Sequence, residues 1–442
     1  MGYGLSPTDS THGGLGVDFN YSPPQFKKVN KNLNFYLTSS TCSDSLGSLL
    51  FYTNGIEIRN RNGNPMPNGQ GLNSGYFVTP STMESGYGAA NGAVSIPDPS
   101  GNNQYYLFHY SMDLNFLPDS VDIFVYRMYY TTIDMNAYNT YGQVLTKNQL
   151  LQEGRFTLPA LTKHANGRDW WLLFARENEP VYYTYLIHPD GISGPFIQET
   201  GPPFDEEEWL GGCNFSLDGS SYIRHDSKGP RIFDFDRCTG TLSNERILEY
   251  PDGIITWYAV SSPDSKTWYI NYPGEVYSVP LESPDLSASF DSVAVFDGHG
   301  CPIDFWYSTF GLPANGPDGK IYYASLGTTR CLGIMHAPDL PGWACDMEQH
   351  TLLPRWNYAS MNFAPNYRLG ALAGSPCDTL GNYNPPGFVN TIYEPKEERK
   401  GDDTQYIHIP PRQIPEKKRI SLLQHVYVEH LKHEEAYKNK KK

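Results

Sequence analysis

A polar turn followed at once by an aromatic strand recurs six times along this 442-residue chain, and that repetition limits the available folds more than any other feature. The turns centre on positions 47, 101, 167, 219, 265 and 319, so successive spacings are 54, 66, 52, 46 and 54 residues. The strands behind them are residues 49–52 (LLFY), 105–108 (YYLF), 170–174 (WWLLF), 222–223 (YI), 268–270 (WYI) and 321–323 (IYY). Residues 42–69 show the unit in full. A turn at Ser43, Asp44, Ser45 and Gly47 leads into LLFY, Asn54 and Gly55 supply a tight hairpin, 56–59 alternates apolar and polar, and Asn62 to Pro65 turns the chain again. A meander this short cannot bury its own faces, so it needs neighbours of its own kind.

A period of about fifty residues accommodates four strands and four turns, the content of one β-propeller blade. Composition agrees. Gly 41 and Pro 35 supply frequent turns, and Tyr 33, Phe 21 and Trp 8 supply most of the large apolar groups, which together predict an all-β chain. The second strand of each unit reads as a nearly continuous apolar run, as expected for a strand covered on both faces. Six units are complete, and material remains at both ends: residues 13–38 carry two short strand signals, and 357–374 read as one more strand. Joining first and last strands in one blade would remove two exposed edges. The expectation is therefore seven blades closed by pairing of N- and C-terminal strands, with six blades as the alternative. The propeller spans 13–381, after a short extension over 1–12 and before a polar linker and basic, helix-prone tail over 382–442.

Charge bears on partners. The net charge is −15, but residues from Lys396 onward hold 12 Lys and Arg against 8 Asp and Glu, so the body is more acidic still. An acidic body repels a phosphate backbone, and nucleic acid is not the expected partner. No apolar run reaches the length needed to span a bilayer as a helix, and MGYGLSPTDSTHGG at the N-terminus lacks the basic-then-apolar order of a secretion signal. Seven cysteines, at 42, 213, 238, 301, 331, 345 and 377, are too few for a disulfide scaffold and leave at least one thiol unpaired.

Four segments resemble the propeller region of large secreted or surface proteins of Bacteroidota: LGVDFNYSPP (15–24), the meander from Ser43 to Gly69, FDFDRCTGTLS (233–243) and APNYRLGALAGSPCDTLG (364–381). Many such proteins carry PKD-type modules and a sorting domain for the type nine secretion route, and they are loosely related to tryptophan-aspartate-repeat propellers. The resemblance implies an extracellular or cell-surface propeller with no assigned catalytic site. No PKD-like module, leader or sorting domain is recognisable here, so an altered or partial reading frame of a larger adhesin-like protein is a further alternative.

Candidate chemistry is sparse. Ser262 to Trp268 resembles the Asp-box of sialidase-like propellers but lacks its glycine, and reads more simply as a turn before a blade strand. Cys331, His336, Cys345 and His350 have a spacing that invites zinc, yet a separation of five along a strand puts each Cys and its His on opposite faces. A turn at Pro338 and Asp339 would instead set Cys331 opposite Cys345, and these two are the predicted disulfide. The acidic run Asp205, Glu206, Glu207 and Glu208 beside Trp209 could bind a cation or a sugar rim, though a solvated loop explains it as well. His164, His188 and His225 have no spacing that selects them as general bases. Nucleophile-elbow, phosphate-loop and HExxH motifs are absent, and no cofactor or metal is expected. The functional expectation is a monomeric ring acting as a non-catalytic binding or scaffold module for a protein or glycan ligand at one face or the channel mouth. The alternative is a propeller hydrolase or lyase acting on glycans or lactones.

Overall fold

The computed structural model describes residues 15–29, 33–73, 75–79, 82, 86–116, 121–202, 212–225, 229–248, 258–298, 309–325, 328–358 and 364–378. Residues 1–114 and 124–386 form one compact unit; residues 115–123 and 387–442 form a second, of which only the strand ends at one hairpin tip are described. The expected N-terminal extension and C-terminal tail lie outside the described residues.

Six four-stranded antiparallel sheets follow one another along the chain, each with its strands in sequence order. Blade 1 holds β3 (Ser40–Ser43), β4 (Leu49–Thr53), β5 (Glu57–Asn60) and β6 (Pro65–Gln70). Blade 2 holds β7 (Ala93–Pro97), β8 (Gln104–Phe116), β9 (Val121–Asp134) and β10 (Gln143–Phe156). Blade 3 holds β11 (Ala160–Lys163), β12 (Trp170–Ala175), β13 (Val181–His188) and β14 (Gly191–Glu199). Blade 4 holds β15 (Cys213–Phe215), β16 (Ser221–His225), β17 (Pro230–Asp236) and β18 (Thr241–Ile247). Blade 5 holds β19 (Tyr258–Ser261), β20 (Thr267–Tyr272), β21 (Glu275–Pro280) and β22 (Asp291–Val295). Blade 6 holds β23 (Pro313–Asn315), β24 (Ile321–Tyr323), β25 (Thr328–Met335) and β26 (Met347–Tyr358). The first strand of a blade meets the first strand of the next between blades 1 and 2, 3 and 4, 4 and 5, and 5 and 6. The fold is thus an all-β propeller with first strands innermost.

The six landmark turns are the turns between first and second strands. Gly47, Gly101, Gly167, Gly219 and Gly319 all take a positive φ there, between 72° and 80°, and Ser265 takes φ 60° at the equivalent place. That left-handed residue is what lets so short a turn reverse the chain. Every residue of β12 is buried, because a second strand has a blade on each side. Apolar side chains fill the gaps between sheets. Trp171, Leu173, Tyr182, Tyr222 and Phe233 form one such layer between blades 3 and 4, and Phe51, Ile58, Leu107 and Ile133 another between blades 1 and 2. Full burial of a side chain of this size is worth about 1.5–3 kcal/mol, so the layers hold the blades upright.

Polar groups rivet neighbouring blades together. Lys147 Nζ donates to Gln70 O at 2.5 Å across blades 1 and 2, and Tyr185 OH donates to Gln152 Oε1 at 2.8 Å across blades 2 and 3. Trp171 Nε1 donates to Arg237 O at 2.8 Å across blades 3 and 4. Asp218 N donates to Ser265 Oγ at 3.0 Å between blades 4 and 5, and Asn315 Nδ2 to Ser261 O at 2.9 Å between blades 5 and 6.

Among the described residues there are six blades, the alternative count, and none shared between the chain ends. N-terminal strand signals become a separate hairpin, β1 (Leu15–Asp18) paired with β2 (Gln25–Lys28). It bridges blades 6 and 1: the Phe19 ring lies 5.7 Å edge-on from that of Tyr322, and the Asn20 side chain rests against Gly47. At the other end β26 stops at Tyr358, and residues 364–378 carry no strand. They lie as a strap against blades 2, 3 and 4. Of the expected terminal strands, β1 and β2 pair only with each other, residues 357 and 358 end β26, and residues 364–378 join no sheet.

Candidate functional site

The strap lies on the face bearing the landmark turns, against those of blades 3 and 4, where the first strands end. Its contacts run blade by blade. Tyr367 OH donates to Ser95 O of β7 at 2.6 Å, placing the hydroxyl inside the ring at blade 2. Tyr367 is 39% exposed as a residue, yet burial pushes its hydroxyl's pKa up. The same ring meets Trp170 of blade 3 at 5.8 Å, edge to face. Asn366 Nδ2 donates to Leu217 O of blade 4 at 2.8 Å, and Leu372 N to Ala165 O of blade 3 at 2.7 Å.

Arg237, in the turn between β17 and β18, organises this region. Its guanidinium donates to Lys163 O at 2.9 Å, Asp218 O at 3.3 Å, His164 O at 3.2 Å and Gly370 O of the strap at 2.7 Å. Burial lowers its pKa, but a guanidinium keeps its proton, so one buried cation ties blades 3 and 4 to the strap. The next residue, Cys238, forms a disulfide with Cys377 at the strap's far end, 139 residues away. Lys163 stands beside them, with Nζ 3.0 Å from Gly167 O and 5.2 Å from the centre of the Trp170 ring. Burial first, then the Arg237 charge, lowers the Lys163 pKa.

His164 is tied into this scaffold. Its Nε2 lies 3.0 Å from Cys238 O while its Nδ1 accepts from Asn166 N at 3.0 Å. A carbonyl on one nitrogen and an N–H on the other fix the neutral Nε2–H tautomer, and burial lowers the pKa accordingly. His188 closes the turn between β13 and β14 against Ser193 Oγ at 2.7 Å. His225 is buried at the end of β16. The structure does not gather these three.

Nor does it join Cys331 to Cys345. Cys345 is a free, buried thiol, whereas Cys331 is disulfide-bonded to a cysteine other than Cys345. The reason is register. Met335 pairs with Met347 and Cys331 with Leu352, so the hairpin is centred about three residues later than a turn at Pro338 and Asp339 would put it. Cys345 ends up in the short 3₁₀ turn Gly342–Cys345 instead of on the strand. The companion histidines are also apart: His336 lies between Lys320 and Glu348, at 2.9 and 2.8 Å, and His350 pairs with Asp297 at 2.8 Å. Among the described residues no group of three His, Cys, Asp or Glu is placed to hold a metal ion. The acidic run from Asp205 to Glu208, with Trp209, lies outside the described residues. In the Ser262 to Trp268 segment, Ser262 Oγ donates to Asp264 Oδ1 at 2.6 Å and accepts from Thr267 N at 3.0 Å, which makes it a turn closure.

Sequence reasoning missed Arg237, Cys238, Tyr367 and Cys377 as a group. A signal was present: two of the four segments that carried the resemblance, 233–243 and 364–381, each contain one of the bonded cysteines. No periodicity links them, because the strap is held through backbone carbonyls and one covalent bond.

No protein-family model matches the sequence, and no curated protein matches it. Among solved structures the chain is similar to the Dos1 propeller, at 10% identity over 65% of this chain and 80% of that one with a TM-score of 0.32. It is similar to the β-propeller domain of Myceliophteria thermophila Cps50 (Swd1), at 10% identity over 65% and 80% with a TM-score of 0.35. A putative 6-phosphogluconolactonase from Bacteroides fragilis is a third, at 14% identity over 70% and 91% with a TM-score of 0.34. Likenesses this remote do not bear on what the ring does; the six-sheet ring is recognised from its own strand order and blade contacts.

Proposed function

We propose that the ring is a non-catalytic binding or scaffold module that works outside the cytoplasm, with a protein or glycan ligand meeting one face of the ring or the channel mouth. One observation carries this reading: the polar groups described at this face, Lys163, His164 and Arg237 among them, are already tied into the scaffold by hydrogen bonds. Asn214 Nδ2 donates to Ala259 O at 3.2 Å, Ser261 Oγ accepts from Leu217 N at 3.0 Å, and the Asn315 amide, the Ser95 carbonyl and the Tyr367 hydroxyl are likewise engaged. A rigid rim of this kind suits recognition, whereas acid–base chemistry needs titratable groups left poised toward a substrate. The disulfide between Cys238 and Cys377, with Cys331 also bridged, supports an oxidising compartment, since such bonds do not persist where thiols are kept reduced.

The test is a glycan array and a panel of surface-protein ligands probed with the purified ring, run beside assays of glycoside, polysaccharide-lyase and lactone turnover. Saturable binding without turnover is the expected result. Turnover of any of these substrates that survives purification to homogeneity would overturn the reading and favour a hydrolase or lyase.

A further inference from the structure

The strap offers an inference independent of what the ring binds. Most of residues 364–378 are exposed or half-exposed, Leu372 by 46%, so little apolar burial holds the segment down. One hydrogen bond each to blades 2 and 3 and two to blade 4 fix its course, and one covalent bond fixes its end. Beneath it lie the Ser95, Ala165 and Leu217 carbonyls, the Trp170 ring and the Arg237 guanidinium. Gly167 shows how close the fit is: it takes φ 73°, and a Cβ there would collide with the backbone nitrogen of Ala371. The bonded cysteines differ in access, Cys238 being buried and Cys377 half-buried.

We propose that residues 364–378 are a redox-latched plug: the Cys238 to Cys377 disulfide keeps the strap across the channel mouth, and its reduction by a dithiol frees the strap and opens the mouth. The chemistry balances. A thiolate of the dithiol attacks the more accessible Cys377 Sγ, forming a mixed disulfide and expelling Cys238 as a thiolate that takes up a proton. The second thiol of the reagent then closes on the first, releasing the Cys377 thiolate, which is also protonated. Two electrons and two protons pass to the protein, and the reagent leaves as a cyclic disulfide. Without the tether, the strap keeps a handful of hydrogen bonds and the Trp170 ring contact with little apolar burial, the condition under which segments open locally while the rest of a fold stays closed.

The experiment uses the full chain, oxidised or treated with dithiothreitol, and a Cys377→Ser variant that leaves the bond at Cys331 intact. Hydrogen exchange at the Leu372 amide and trypsin cleavage after Arg368 report on the strap, and exchange in β12 reports on the ring. Reduction and C377S should each speed Leu372 exchange and Arg368 cleavage by about tenfold or more with β12 protection unchanged. Strap protection that stays at the oxidised level in C377S would overturn the proposal, because non-covalent contacts would then suffice. Loss of β12 protection in both arms would overturn it as well, making the disulfide a staple of the whole ring.

Discussion

His109 gives the sharpest test of how burial acts in this ring. It sits on β8, fully buried, with Nδ1 2.7 Å from Asn73 Oδ1 and Nε2 2.9 Å from Thr131 Oγ1. Asn73 Nδ2 donates to Gly55 O at 3.0 Å and Asn148 N to Thr131 Oγ1 at 3.2 Å, so the imidazole is the centre of a network spanning blades 1 and 2. Burial pushes its pKa down from 6.5 to about 3. The folded protein therefore keeps His109 neutral where the unfolded chain protonates it, between about pH 6.5 and pH 3. In that window unfolding takes up a proton, stability rises with pH, and the contribution is complete above pH 6.5 and lost as pH falls toward 3. At about 1.4 kcal/mol per unit, acidification from pH 7 to pH 5 costs about 2 kcal/mol through this group alone. His109→Gln retains an amide that can bond to both neighbours and cannot titrate. Unfolding in urea at pH 5 should take up close to one proton more in the wild type than in H109Q, measured with an indicator dye, and the urea midpoint of H109Q should fall less between pH 7 and pH 5. Equal proton uptake by the two proteins would refute the account of burial.

Other perturbations have expected outcomes of their own. Arg231, 2% exposed, pairs with Glu245 at 2.7 Å; R231A leaves a buried carboxylate uncompensated and should destabilise blade 4 by about 3–5 kcal/mol, read as a drop in urea midpoint. Tyr367→Phe removes the bond to Ser95 O and should loosen the strap by about 1 kcal/mol, seen as faster exchange at Leu372 with Tm unaltered. Gly167→Ala should lift the strap while the disulfide stays closed, since both its φ and the nearby Ala371 backbone oppose a side chain; unchanged trypsin susceptibility at Arg368 would contradict the fit described. Alkylation of denatured, unreduced protein should label Cys42, Cys213 and Cys345 and spare Cys238, Cys331 and Cys377, and a Cys345 spared from labelling would revive its pairing with Cys331.

The blade repeat was legible because each landmark has a local cause. Gly47, Gly101, Gly167, Gly219 and Gly319 are needed for a left-handed turn, and the runs behind them are apolar on both faces because both faces are covered. Neither fact depends on distant sequence. Seven blades were favoured over the six found because residues 13–38 and 357–374 have strand composition, and composition does not say whether an edge awaits them. The predicted bond between Cys331 and Cys345 failed on a three-residue offset in a hairpin, below what turn chemistry at Pro338 and Asp339 can fix. Arg237 looked like one more turn residue, since its four acceptors are carbonyls contributed by segments up to 133 residues away. Sites built from backbone oxygens leave almost no side-chain signature.

Ser265 shows what the ring accepts in exchange for order among its blades. It is the one landmark residue with a side chain, held at φ 60°, where glycine would sit without complaint. Its hydroxyl is the acceptor that Asp218 of the preceding blade requires. Replacing it with glycine would relax the fifth turn and unfasten the fourth from it, two changes of comparable size and opposite sign. A mutational scan scored only by overall melting would pass over this position, although it is where two adjoining sheets learn which of their kind to stand beside.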